Sequence, residues 1–259
     1  MDRQIHVLIL HYMNRKFYYV WVIILSSLIS FGCISCGSDD SSTPQTSPDA
    51  ADRDAAGNLK VSAVNFPDEN FRSFLLSQGY GADGVLTQKE IADIKSLEIP
   101  SLNIRNLNGI AFFTSLVELD CEHNLITSLD MSKNVLLQYL KCEECQITTL
   151  DVSKNVKLTK LACHSNQLTS LDISKNIALK DLHCPHNKLV SLDVSNNPNL
   201  IRLSCSDNQL TSLDVSKNTL LEELYCNDNQ LTYLDVSNNT RLADLRYDTD
   251  KVTIYGWPK

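Results

Sequence analysis

Residues 158–178 read LTKLACHSNQLTSLDISKNIA, and a unit of this form also begins at Leu116, Leu137, Leu179, Leu200 and Leu221. Cys121, Cys142, Cys163, Cys184, Cys205 and Cys226 mark the register, each 21 residues from the next. The shared form is Leu-x-x-Leu-x-Cys-x-x-Asn-x-Leu-Thr-Ser-Leu-Asp-Val-Ser-Lys-Asn-x-x. One such unit is too short to bury its own apolar side chains. Units of fixed period therefore stack, and stacking makes one continuous core.

The period and the leucine spacing predict a leucine-rich-repeat solenoid, a horseshoe with a parallel β-sheet on its concave face. Around the second leucine and the cysteine, inward and outward positions alternate, which predicts one short strand per unit. The second half, Leu-Asp-Val-Ser-Lys-Asn, has too few residues for a helix and is expected to be extended or turn-like. Asn at unit position 9 (Asn124, Asn166, Asn187, Asn208, Asn229) can bond backbone groups of the turn. Cys145 takes that place in the second unit, and a thiol is a weak substitute. That rung is expected to be the softest.

Of the nine cysteines, six form this ladder and the others are Cys33, Cys36 and Cys145. Neighbouring coils lie about 4.8 Å apart, close enough for disulfides on distance alone. Stacked identical positions, however, point their Cβ atoms the same way, and the bridge torsion of about 90° is then hard to reach. The ladder is read as reduced, buried thiols.

The ends of the chain have other characters. Residues 1–36 resemble an export signal: Arg15 and Lys16 precede the apolar run FYYVWVIILSSLISF at 17–31. Met13 is the alternative start. The run ends beside Cys33 and Cys36, each preceded by a small residue or a short apolar-small pair, as before a lipidated cysteine. Cys36 is the expected attachment site, with Cys33 as the alternative. Asp39 and Asp40 follow Cys36, as in the surface-export signals of some lipoproteins. Residues 37–60 are rich in Ser, Asp, Ala and Pro and read as a flexible tether.

Residues 61–115 read as a helical N-terminal cap with a degenerate first repeat. A helix is expected from Phe66 to Leu76 with Pro67 in its first turn, and a second after Thr87, whose spacing to Glu90 makes a capping box. Between them, residues 79–90 lie on a calcium-loop template with Gly84 at position 6 and Glu90 at position 12. Gly79 and Gly81 stand at positions 1 and 3 and bring no carboxylate, so a structural loop is expected there. Residues 116–239 are the six repeats, and 240–259, with Tyr255 and Trp257, the C-terminal cap.

A net charge of −8 without a Lys/Arg-rich run excludes a nucleic-acid partner. The candidate ligand-binding residues are the outward ones on the concave strands: Glu118, Asp120, Tyr139, Lys141, Lys160, His164, Asp181, His183, Arg202, Glu223 and Tyr225. They differ from unit to unit while the core positions do not. His164, His183 and His186 could approach one another, but the surface is open and no second shell is evident, so no metal is expected. Asp130, Asp151, Asp172, Asp193, Asp214 and Asp235 suggest a calcium ladder, but each precedes a turn whose N–H groups an Asp commonly binds. No catalytic arrangement or closed pocket is evident.

The 21-residue unit with Cys in place of a core leucine resembles the cysteine-ladder repeats of internalin J-like bacterial surface proteins. The opening FPDENF at 66–71, the worn calcium-type loop and the repeats behind it are similar to the cap-plus-repeat arrangement of internalin-like lipoproteins. The likeness covers roughly residues 66–240. It implies a curved right-handed solenoid with reduced, stacked thiols, and a role in adhesion or macromolecular recognition without catalysis. Unlike internalin J, the chain is read with a lipoprotein-like N-terminus and no wall-anchoring C-terminus, so family ligands do not transfer. The expectation is a monomeric outer-membrane lipoprotein, anchored in the membrane by its N-terminal lipid and facing the cell exterior, which binds a protein. A glycan-binding lipoprotein and a periplasmic scaffold are the alternatives. No cofactor and no enzymatic activity are expected.

Overall fold

The computed structural model describes residues 51–257. The export signal, Cys33, Cys36 and the first part of the expected tether lie outside the described residues. Among those described, no helix is long and apolar enough to cross a membrane.

Among the described residues the α-helices and strands are, in order, β1 (Leu59–Lys60), α1 (Glu69–Ser77), β2 (Val85–Leu86), α2 (Gln88–Asp93), β3 (Ser96–Glu98), β4 (Glu118–Asp120), β5 (Leu129–Asp130), β6 (Tyr139–Lys141), β7 (Leu150–Asp151), β8 (Lys160–Ala162), β9 (Asp181–His183), β10 (Arg202–Ser204), β11 (Glu223–Tyr225), β12 (Tyr233–Asp235), β13 (Asp244–Arg246) and β14 (Thr253–Tyr255). One eight-stranded parallel sheet runs β3-β4-β6-β8-β9-β10-β11-β13. Its register is the sequence period: Leu119 faces Leu140, Leu161 faces Leu182, and Leu203 faces Leu224. A slip of one residue would turn every buried leucine outward, so the hydrophobic pattern locks the register.

The core is a stack of similar layers. Leu116, Leu119, Cys121 and Ile126 of the first unit are fully buried, and so are Leu179, Cys184 and Leu189 of the fourth. All seven described cysteines are free and buried. Cys121 Sγ donates to Lys141 O at 3.3 Å, and Cys184 Sγ to Ser204 O at 3.5 Å, so the thiols bond forward to the next coil. Burial raises Cys163 and Cys226 to about 12 and carries Cys121, Cys142, Cys184 and Cys205 well above the ordinary thiol value.

Two asparagine ladders hold the turns. At position 9, Asn187 Nδ2 donates to Cys163 O (3.0 Å) and Cys184 O (3.2 Å), while its Oδ1 accepts from Leu168 N (3.0 Å). One side chain thus joins three backbone groups on two coils. Cys145, in the second unit, donates from Sγ to Cys121 O at 3.5 Å and accepts weakly from the backbone of Asn124 and Ile126. The second ladder, at position 19, was not anticipated. Asn134, Asn155, Asn176, Asn197, Asn218 and Asn239 are buried, and each donates twice to the preceding coil; Asn176 reaches Val152 O (3.1 Å) and Asn155 O (2.9 Å). The aspartates of the suggested calcium ladder cap turns instead: Asp151 Oδ1 accepts from Ser153 N and Asp214 Oδ1 from Ser216 N, both at 2.8 Å.

Several expected boundaries move. Residues 51–60, assigned by composition to the tether, are ordered. Leu59 is fully buried and pairs with Leu86, and Asn65 Nδ2 donates to Asp52 O and Lys60 O. A single buried leucine and a buried asparagine outweigh a polar composition. Helix α1 starts at Glu69 with Asp68 as N-cap, so Pro67 precedes the helix and is not in its first turn. Asp68 Oδ2 also accepts from Arg105 N at 2.7 Å, which clamps the cap to the first coil. Helix α2 has the expected capping box; because it occupies the Glu90 carboxylate, the calcium-type loop loses its position-12 ligand. Phe66 sits at the centre of this end, 5.7–6.0 Å between ring centroids from Phe71, Phe112 and Phe113. Gly109 permits it: its φ is +101°, and a Cβ there would meet the Phe66 ring at 2.5 Å. At the other end, residues 240–257 continue the solenoid, with β13 as its last sheet strand and β14 pairing β12.

Two stability predictions follow from the ladders. Cys145→Asn should replace the weak thiol bonds of this rung by carboxamide bonds and add about 1 kcal/mol, read as a higher denaturation midpoint; an unchanged or lower midpoint would show that the thiol is as good a partner. The thiols have folded pKa values above that of the unfolded chain, about 8.5. Their contribution is complete below that value and is lost as pH rises toward 12. Unfolding free energy should therefore decline from about pH 9 upward, and a flat profile to pH 11 would contradict a protonated ladder.

Candidate functional site

The sheet presents unit positions 3, 5 and 7 on its open face because position 4, a leucine, and position 6, a cysteine, face the core. Side chains 21 residues apart then stand about one strand spacing from each other and can pair along the sheet. Lys141 Nζ lies 2.7 Å from Asp120 Oδ2, and Arg202 Nε lies 2.7 Å from Asp181 Oδ1. The Tyr225 hydroxyl donates to Asp244 Oδ2 at 2.6 Å, which raises that phenol to about 12, and the Arg246 guanidinium stacks 4.4 Å above its ring.

The structure sorts the expected site residues. Lys160, Asp181, His183, Arg202, Glu223 and Tyr225 line one shallow hollow of about 240 Å³ over β8–β11. It offers two cations, two carboxylates, an imidazole and a phenol. Glu118, Asp120, Tyr139, Lys141 and His164 lie outside it, toward the N-terminal end. Asp120 is 8% exposed and committed to Lys141, which removes it as a free contact. Tyr139 is 41% exposed. His186 does not join the cluster that His164 and His183 form with Glu143, although its charge still acts on His183. Position 8 is a left-handed turn residue in all six units, φ +48° to +55°, and there His186 pairs with Asp207 at 3.4 Å.

Asp244 and Arg246 escaped the sequence reading because Tyr247 replaces the next cysteine and hides the seventh unit. Glu143 was legible as an outward residue of its strand, but its burial and its neighbours were not. It is 8% exposed beside Glu122 and faces His164 Nε2 at 3.7 Å. Burial first, then the Glu122 charge, raises its carboxyl to about 7. A larger hollow, about 670 Å³, lies away from this face between residues 107–112 and the Asp130 and Asp151 turns. Asp130, Asp151, Lys133, Lys154 and Phe112 are among its lining residues, but none of them belongs to the concave strands.

These features define a leucine-rich-repeat solenoid with a cysteine ladder. No family model matches the chain. Over 70 residues it is 38% identical to Internalin J of Listeria monocytogenes serotype 4b (strain F2365), a stretch that is 27% of this chain and 8% of that protein. Among solved structures it is similar to the functional domain of InlJ from Listeria monocytogenes, which includes a cysteine ladder: 33% identity, TM-score 0.61, covering 76% of this chain and 48% of that one. Internalin C2 of the same organism matches at 20% identity and TM-score 0.59, over 76% of this chain and all of that one. A leucine-rich-repeat protein of Leptospira interrogans matches at 22% and 0.55, over 67% of this chain and 53% of that one; these last two are likenesses of fold. The chain is an internalin-like leucine-rich-repeat protein, and it spans about half of the InlJ domain.

The position of Glu143 gives a signed prediction. Its folded pKa lies above the unfolded value of about 4.3, so its contribution is most favourable below that value and is lost as pH rises through about 7. In chelator-containing buffer, Glu143→Gln should be more stable than wild type at pH 8, with the gap closing toward pH 4. Equal stability at pH 8 would rule out a strained carboxylate.

Proposed function

We propose that this protein is a non-enzymatic recognition protein of the bacterial cell surface, held by a lipid on Cys36 and binding a protein ligand through its concave face. The hollow over β8–β11 carries the reading. It sets Lys160 and Arg202 against Asp181 and Glu223 around the phenol of Tyr225, on a scaffold whose core Leu at positions 1 and 4 and Cys at 6 recur in all six units. Paired charges beside a braced aromatic suit a polar protein surface with both signs of charge. The rigid sheet limits the entropy lost on binding. A glycan ligand has less support, because Tyr139 and Tyr225 stand on β6 and β11 and do not form one stacking platform.

A photo-crosslinking residue at Tyr225 or Arg202 should capture protein partners on intact cells, while the same residue at Val156, exposed outside the sheet, should not. Equal capture from both positions, or capture of polysaccharide alone, would overturn the concave-face reading. External protease should remove the protein from intact cells, and replacing Asp39 and Asp40 by Ala should protect it. Protection of the wild type would instead place it inside the envelope, as a scaffold.

A further inference from the structure

Three side chains from three successive coils converge on the open sheet face near its middle. Glu143 and His164 occupy position 7 of the second and third units, and His183 occupies position 5 of the fourth. One carboxylate oxygen and one nitrogen from each imidazole all lie within 4.8 Å of one another. Glu143 Oε1 is 3.7 Å from His164 Nε2, and the two imidazole rings meet edge-on with centroids 5.1 Å apart. We propose that Glu143, His164 and His183 form a binding site for one divalent transition-metal ion, with zinc the best fit.

Two further observations favour a built site over a chance cluster. His164 Nδ1 is bonded to the Ser165 hydroxyl at 3.0 Å. That bond orients the ring and directs Nε2 toward Glu143, as an outer partner does for a metal-ligating histidine. Glu143 is buried and its Oε2 meets no donor; the carboxyl that stands beside it, Glu122, can bond to it only by carrying a proton. A buried, unpaired carboxylate oxygen is costly, and a cation compensates it directly. Glu122 adds negative charge beside Glu143, and Lys160 adds positive charge beside His183.

Two imidazoles and one carboxylate are the donor set of open zinc sites, with metal–ligand distances of roughly 2.0–2.2 Å. Bringing the three atoms to such an ion takes movements of about 1 Å, within ordinary side-chain rotation. Calcium and magnesium prefer all-oxygen ligands and do not suit the set. A tetrahedral ion held by three protein atoms keeps one position open on the sheet face. Water, or a carboxylate or imidazole of a partner, can occupy it. The site stands whether or not the concave face takes a protein ligand.

The test uses the full chain, stripped with chelator, titrated with Zn²⁺ by calorimetry and with Co²⁺ by visible absorption. We expect one saturable ion per chain, cobalt bands of a nitrogen/oxygen set, and no thiolate charge-transfer band. His164→Gln and His183→Gln should each weaken binding by at least about tenfold, and Glu143→Gln should do the same. His186→Gln should leave it unchanged. His6, His11, Cys33 and Cys36 precede the solenoid and are replaced by Ala in the wild-type background and in every variant, so they add no ligand. Zn²⁺ should also raise the melting temperature of wild type and His186→Gln only, with circular dichroism confirming that all variants are folded. Binding that survives both the His164 and His183 substitutions, a thiolate band, or no saturable binding at micromolar Zn²⁺ would overturn the proposal.

Discussion

Each coil completes its backbone hydrogen bonds on its neighbours, and the rest of the structure depends on that. A 21-residue coil without a helix has few internal bonds, and its buried N–H and C=O groups must find partners elsewhere. On one side the parallel sheet supplies them, with Cys121 N donating to Lys141 O and Cys163 N to His183 O. Away from the sheet no ladder runs through the stack, since among the described residues only β5 with β7 and β12 with β14 pair between coils there. The two asparagine ladders take over. The position-9 carboxamides bridge two coils with donor and acceptor together, and those at position 19 do so by donating twice from Nδ2.

Because neighbouring coils depend on each other, the ends need special treatment. The N-terminal end is covered by α1, α2 and the Phe66 cluster, tied to the first coil through the buried Asp68 carboxylate. The C-terminal end is closed by a last, irregular coil whose Leu242, Leu245, Tyr247, Ile254 and Trp257 pack against the core. An exposed leucine layer would otherwise invite another chain to stack.

The same constraint shapes the functional face. Core positions must stay apolar and of similar size for the layers to stack, with Leu at positions 1 and 4 and Cys at 6 in all six units, whereas positions 3, 5 and 7 only need to fit a strand. Chemistry can vary there without cost to the fold. Charged side chains on that face pair along the sheet at 21-residue intervals, Asp120 with Lys141 and Asp181 with Arg202. The surface is therefore ordered before any ligand arrives.

Period, register, the reduced thiols and the Asn124-type ladder were legible in the sequence, because each is a local pattern repeated six times and repetition makes stacking geometry readable without coordinates. The buried Asn134-type ladder repeats just as strictly, but its neighbours Ser and Lys disguise it as an exposed turn. Only packing shows that Asn176 points inward. Tertiary structure alone decided the rest. Burial of Leu59 placed residues 51–60 in the fold, strand pairing put Asp244 and Arg246 beside Tyr225, and the left-handed residue at position 8, His186, pairs with Asp207. It also brought Glu143 beside His164. Such contacts depend on which way a side chain leaves the backbone and what stands on the next coil, and neither is written in the spacing of residues along one chain.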